Sequence, residues 1–180
     1  MKKYIFLIAL APVLIGIILY SLRNINNVKQ STIAGNKFYT VLFSKKDNKL
    51  LEEIDLNWKY LAHFESAFNH ISNSTLTDTI SIYSNMVNNK DVPNVLRELA
   101  QYLEVMNLLN QGGKINEDKI NNLESSTVYP YSSQEAIAIV KIHNNDIKGA
   151  LEILRSLLND RKCPILIKAN AQELLQIYGS

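Results

Sequence analysis

The sequence predicts an all-α protein in which one N-terminal transmembrane helix precedes a solenoid of helical hairpins. Three observations support this fold class: an uncharged apolar run, apolar side chains that follow the 3.6-residue period of a helix, and small residues that recur at nearly constant spacing. Glycine and proline are scarce, with six and four residues among 180, which suits helices joined by short polar turns. We therefore divide the chain into a tail (residues 1–3), an anchor (residues 4–22) and a repeat domain (residues 23–180).

The apolar run contains nineteen residues without a charge, from Tyr4 to Leu22. A helix of that length rises about 28 Å, close to the ~30 Å hydrocarbon core of a bilayer. A cleavable signal peptide is the alternative, because two lysines precede the run and Ala9-Leu10-Ala11 resembles a cleavage site. Pro12, directly after that site, and the full spanning length favour a retained anchor. Basic residues flank both ends, and the short lysine-rich tail favours an orientation that leaves the repeat domain outside the cytoplasm.

After the anchor the chain shows the pattern of short amphipathic helices. Ala136, Ile139 and Val140 fall on one helical face, and Leu154 and Leu157 belong to the apolar stripe of the following helix. Polar breaks separate the helices at residues 45–48, 72–75, 88–91, 111–114, 125–129, 144–146 and 159–162. The three-residue break at 144–146 predicts a tight antiparallel hairpin.

Local signals place some of the helix ends. Ser132, followed three residues later by Glu135, forms a capping-box pattern and predicts a helix that starts after Ser132. Pro93 and Pro164 stand where the prolines of a first helical turn are tolerated. Gly112-Gly113 lacks the spacing and the lysine of a phosphate-binding loop and is therefore interpreted as a turn.

The strongest internal signal is a recurring alanine. Ala62, Ala100, Ala138 and Ala171 follow one another at intervals of 38, 38 and 33 residues. Periods of this size are typical of helix-hairpin solenoids, in which a small residue lets two helices approach closely. The recurrence therefore predicts repeated hairpins that share a continuous core.

Three segments carry a resemblance to a known family: PNVLRELAQYLEVMNLL from Pro93, QEAIAIVKIHNNDIKGALEILRSLLND from Gln134, and CPILIKANAQELLQIYG from Cys163. The stretch from about Ala34 to Gly179 resembles tetratricopeptide-like repeats, and is similar to the membrane-anchored ancillary subunits of the translocon and their uncharacterised alphaproteobacterial relatives. The resemblance implies a single-pass protein of the bacterial inner membrane with a periplasmic, non-enzymatic repeat domain. Its implied partners are translocon components, periplasmic chaperones or secretory clients.

Composition and motifs exclude several other functions. Nineteen Lys and Arg against seventeen Asp and Glu give a net charge of +2, without the clustered basic face of a nucleic-acid-binding protein. His63 and His70 share a helix face but lack a third metal ligand, and the single cysteine, Cys163, cannot build a cysteine-based zinc site. We expect no enzymatic activity, cofactor, metal or nucleic-acid partner. The alternatives are a cell-envelope or division scaffold that self-associates through its repeats and, third, an enzyme.

The alanine register also predicts a protein-binding groove. If the alanines occupy the close contact within each hairpin, residues at fixed offsets from them face the concave side that repeat domains use for peptide segments. This register selects Lys59, His63, Asn94, Arg97, Gln101, Glu104, Glu135, Ile139 and Ile142, with Ser66 and Ser132 in the same register. The alternative is that these are ordinary exposed residues of polar helix surfaces.

Overall fold

The computed structural model describes residues 23–39, 58–72 and 76–179, and all of them lie in helices or in the turns between helices. The helices are α1 (residues 23–39), α2 (Trp58–Ser72), α3 (Leu76–Asn88), α4 (Asn94–Asn110), α5 (Glu117–Glu124), α6 (Pro130–His143), α7 (Ile147–Asn159) and α8 (Ile165–Tyr178). This part of the chain contains no strand, which confirms the all-α prediction.

The first of two compact units is Met1–Ala62. In its described part, α1 and the start of α2 meet through two aromatic rings, those of Phe38 and Trp58, whose centroids lie 5.8 Å apart. Ala62 is buried against both of these side chains. A Cβ on Gly35 would lie only 2.9 Å from the Trp58 ring, so glycine at this position permits the close approach of α1 to the indole.

The second unit, His63–Ser180, is a stack of helix pairs. Phe64 of α2 contacts Tyr83 of α3 with ring centroids 5.8 Å apart, and the Thr79 hydroxyl donates to the Ala67 carbonyl at 3.1 Å. Further along, α3 packs on α4, α5 contacts both α4 and α6, and α7 lies between α6 and α8. Helix α4 also touches α6, and α6 touches α8. These contacts form a repeat-like bundle in which the part of α2 from residue 63 on packs against α3, α4–α5 and α6–α7 are hairpins, and α8 follows.

Two apolar clusters form the core of the second unit, and α6 contributes to both. The first cluster contains Val105, Ile115, Leu123, Ala136, Ile137 and Val140, and the second contains Ala138, Leu154, Leu157, Cys163 and Ala171. Because α6 buries side chains on two sides, it joins the α4–α5 hairpin to α7 and α8. Removing either neighbour would expose apolar surface of α6 to water.

The four recurring alanines are all buried. Ala62 is 2% exposed, and Ala100, Ala138 and Ala171 are fully buried. Ala62 lies on α2 in the first unit, and the other three lie on α4, α6 and α8, which are alternate helices of the second unit. Ala138 and Ala171 belong to the same apolar cluster, where their small side chains allow α6 and α8 to pack closely.

Helix ends follow the local sequence at some positions and not at others. The predicted hairpin between α6 and α7 forms, with Asn145 in the left-handed region at φ 63° and with Asp146 as the N-cap of α7, accepting from the Gly149 N–H at 3.0 Å. The predicted start of α6 is wrong. The helix begins earlier, at Pro130, whose fixed φ suits a first helical position, and Ser132 lies inside the helix.

The structure corrects the predicted fold class and location in one respect. No helix among residues 23–39, 58–72 and 76–179 is both long and apolar enough to cross a lipid bilayer. Helix α4 has 17 residues, the described part of α1 covers as many, and both carry charged side chains. The predicted anchor, Tyr4 to Leu22, lies outside the described residues. The N-terminal transmembrane helix and the single-pass inner-membrane assignment are therefore without support in the described structure.

Enlarging a buried alanine tests the close packing of α6 against α7 and α8. We expect Ala138→Leu to lower the free energy of unfolding by about 1 to 3 kcal/mol, because the added carbons must displace the surrounding cluster. The matched control is Ala169→Leu, at an exposed position of α8, which should change stability by no more than about 0.5 kcal/mol. Urea unfolding followed by circular dichroism measures both, and equal effects at the two sites would contradict the packing described here.

Candidate functional site

The nine residues of the predicted groove do not share one open surface. Lys59 belongs to the first unit, where its ammonium lies 4.9 Å from the centre of the Tyr60 ring. His63 is exposed on α2. On α4, Asn94 is exposed while Arg97 is half-buried, and the Arg97 guanidinium donates to the Asn94 side-chain oxygen at 2.8 Å. These polar groups are therefore partly engaged with one another.

The other two α4 members of the predicted groove are less exposed than Asn94, and one of them contacts α5. Gln101 is half-buried, and Glu104, one turn further along, is only 3% exposed. The Glu104 carboxylate lies 2.7 Å from the ammonium of Lys119 on α5. A buried carboxylate needs such a partner, so the pair joins the two helices of one hairpin and is not available to a ligand.

The α6 members divide between the core and the surface. Glu135 is buried, and Ile142 packs against the cluster shared with α7 and α8. Ile139 is half-buried and belongs to neither apolar cluster. Half-buried Ser132 and exposed His143 lie seven residues before and four residues after Ile139, and therefore share its helical face. We call Ser132, Ile139 and His143 the α6 strip.

Glu98 organises the junction between α4 and the loop that leads into α6. Its carboxylate is 7% exposed and accepts five hydrogen bonds, from Asn94 Nδ2 (2.7 Å), Ser126 Oγ (2.6 Å), Thr127 N (3.1 Å), Thr127 Oγ1 (3.2 Å) and Val128 N (2.8 Å). Burial alone would raise the pKa of Glu98. The hydrogen bonds, that from Ser126 foremost, outweigh burial and lower the pKa from 4.5 to about 2. The carboxylate therefore stays ionised and holds the loop against α4.

Glu135 occupies the opposite electrostatic environment at the contact between α6 and α8. It is 5% exposed, and its carboxylate accepts one hydrogen bond, from Asn170 Nδ2 on α8 at 2.7 Å. Burial raises the pKa of Glu135 above 4.5, and the Asn170 hydrogen bond offsets only part of that increase. The negative charge of Glu135 in turn adds to the effect of burial in raising the pKa of Tyr102 on α4. One carboxyl group is thus coupled to α4 and α8 at once.

A cleft of about 260 Å³ lies between α5, α6 and α7. Its lining is partly apolar and partly polar, and consists of Leu123, Glu124, Ser126, Pro130, Gln134, Ile137, Ile153 and Ser156. Glu124 is the one ionisable residue of this lining. Within the described residues no three His, Cys, Asp or Glu side chains are placed to hold a metal ion.

No family model, no curated protein and no solved structure matches this chain. The resemblance to ancillary translocon subunits therefore stays a prediction.

Sequence reasoning missed Glu98 and Asn170 as partners of the helix contacts. The hydrogen-bond partners of Glu98 in the α5–α6 loop lie 28 to 30 residues away, and Asn170 lies 35 residues from Glu135. One weak signal was present: Glu98 and Glu135 are 37 residues apart, close to the alanine interval, and each links its helix to residues further along the stack.

Removing the charge of Glu98 tests the junction. Because the pKa is lowered in the folded state, ionised Glu98 adds stability above pH 4.5 that is lost as the pH falls toward 2. We expect Glu98→Gln to lower the free energy of unfolding at pH 7 by roughly 2 to 3 kcal/mol. The difference from the native chain should shrink between pH 4.5 and 2, as measured by urea unfolding across that range. A difference that stays constant with pH would contradict this account.

Glu135→Gln should have the opposite pH signature. Because the pKa of Glu135 is raised in the folded state, its protonated form is favoured and its ionisation reduces stability as the pH rises above 4.5. The glutamine carbonyl can still accept from Asn170, so this variant should be more stable than the native chain at pH 7 and nearly equal to it at pH 4. Unfolding curves at the two pH values measure the effect, and lower stability at pH 7 would show that the ionised carboxylate is needed.

Proposed function

We propose that this chain is a non-enzymatic scaffold that binds segments of partner proteins along its stacked hairpins. The observation that carries the proposal is the row of α4, α6 and α8, in which each helix contacts the next while the α6 strip lies outside both core clusters. Stacked hairpins of this kind create extended surfaces on which several helices contribute to one partner.

The chemistry of the α6 strip suits a peptide ligand. Ile139 provides a half-buried apolar contact, which can anchor one side chain of a partner. Ser132 and His143 flank it with groups that donate or accept hydrogen bonds, as the polar rim of a protein interface does. The strip is therefore better matched to a short apolar side chain in a polar segment than to a wholly apolar surface.

The family resemblance supplies the partner class. Components of the protein-export channel, chaperones that deliver its clients, or the clients themselves are the partners that we propose to test first. The pairs Glu104–Lys119 and Glu135–Asn170, each with a buried carboxylate, support a scaffold role, because they fix neighbouring helices and so hold the surface in one shape before a partner binds.

A charge placed on the α6 strip tests the proposal. We expect Ile139→Arg to reduce the recovery of specific partners at least about fivefold, corresponding to roughly 1 kcal/mol of binding free energy. The measurement is quantitative mass spectrometry of proteins captured from cell extract on the immobilised chain. Components of the export channel or its chaperones should be among the proteins that depend on Ile139.

The matched control is Gln134→Arg, which adds the same charge to an exposed position on another face of α6. Circular dichroism and urea unfolding must show that both variants are folded, and Ser132→Arg replaces Ile139→Arg if the latter is not. Partners that are captured equally by the native chain and both variants would contradict binding at the α6 strip. Capture without any export-channel or chaperone component would contradict the partner class.

A further inference from the structure

Two neighbouring apolar side chains on α8 are exposed to solvent. Ile165 is 87% exposed and Leu166 is 70% exposed, the two largest values among the exposed large apolar residues of the described chain. Both lie in the first turn of α8, and the helix itself is well anchored, because Ala171 and Leu174 on its other side pack into the core cluster. Because α8 is well packed, the adjacent exposed pair is a contiguous apolar surface held in a fixed position, as a protein interface requires.

Three basic residues lie within four positions of this pair along the chain. Arg161 and Lys162 are exposed in the loop before α8, and Lys168 follows within the helix. Lys162 and Lys168 both act to lower the pKa of Asp160, although the hydrogen bonds to Asp160 contribute more, so these cations lie close to the start of α8.

The nearby carboxylate of Asp160 offsets only part of this charge, because it is one anion beside three cations. Asp160 accepts from the Tyr131 hydroxyl at 2.9 Å and from the Lys162 backbone N–H at 2.8 Å, so both of its oxygens are already engaged within the fold. Glu173 is the nearest exposed acid along α8 and lies about two turns beyond Ile165. The surface around the apolar pair is therefore positively charged.

We propose that the α8 N-terminal surface, made of Arg161, Lys162, Ile165, Leu166 and Lys168, docks an acidic amphipathic helix of a partner protein. The apolar stripe of that helix covers Ile165 and Leu166, and carboxylates beside the stripe meet the three cations. A helix is the geometry that fits, because α6 and α7 each bury one face against the next helix of the stack while no described helix covers this face of α8. The surface lies on a different helix from the α6 strip and does not depend on the function proposed for that strip.

The probe is a fluorescently labelled 16-residue peptide with leucines at helical i, i+3, i+4 and i+7 positions and glutamates beside them. A second peptide has every glutamate replaced by lysine, and a third has every leucine replaced by serine. We expect the full chain to raise the anisotropy of the acidic peptide alone, and the affinity to fall as salt is raised, because the cations contribute through screened charge interactions.

Two double variants separate the apolar and the charged contributions. Ile165→Ser with Leu166→Ser keeps the charge, and Arg161→Glu with Lys162→Glu keeps the apolar pair; each should weaken binding of the acidic peptide at least tenfold. Because all four positions are exposed, the fold should survive, which thermal unfolding checks. Val95→Ser and Lys148→Glu, at exposed positions of α4 and α7, are the matched controls and should bind within twofold of the native chain.

Three outcomes would overturn the proposal: no binding of the acidic peptide, equal binding of the acidic and basic peptides, or full binding by either double variant. Sedimentation of the full chain at micromolar concentration tests a second copy as the occupant. A dimer that both double variants abolish, in a chain that ignores the acidic peptide, would assign the surface to self-association. Ile139→Arg should bind the peptide normally, so failure of the scaffold function and failure of this docking surface give different results.

Discussion

The architecture depends on a helix that is apolar on two opposite sides. Helix α6 places Ile137 and Val140 in one core cluster and Ala138 in the other. A helix with this composition cannot be stable at the surface or in isolation, because one apolar side would always face water. It must lie between two layers, and the α4–α5 hairpin and the α7–α8 pair supply them. Burial of α6 thus couples helices that are far apart in the chain and leaves open the α6 strip and the separate face that carries Gln134.

Two buried carboxylates show how their surroundings decide whether a charge stabilises this stack. Glu98 and Glu135 are almost equally buried, at 7% and 5% exposure, so both lose most of their hydration. Five hydrogen-bond donors replace the lost hydration of Glu98, whereas Glu135 accepts one hydrogen bond, from the Asn170 amide. The pKa values accordingly move in opposite directions. The first carboxylate holds a loop in place, and the second makes the contact between α6 and α8 sensitive to pH.

Features that depend on local chemistry could be predicted, and features that depend on the rotation of one helix against another could not. The alanine interval marked α2, α4, α6 and α8, because a small residue is needed wherever helices approach closely. The groove could not be predicted in this way, because two residues at the same register position point in different directions. Glu104 contacts α5, whereas Ile142 packs into the core formed by α6, α7 and α8. A constant spacing along the chain does not guarantee a constant direction around the helix axis. The sequence also did not predict the exposure of Ile165, because an apolar residue in a helical stripe is normally expected to be buried.

The lone cysteine lies at the seam where α8 meets the rest of the stack. Cys163 is 6% exposed, it belongs to the second core cluster, and burial raises the pKa of its thiol. An alkylating reagent reacts with the thiolate and needs to reach it, so the sulfur is shielded for as long as α8 stays seated. The rate of its chemical labelling therefore reports how often α8 separates locally from the helices it packs against. Cys163 is thus a native reporter of local opening at α8, and it can be used without an added dye or a second cysteine.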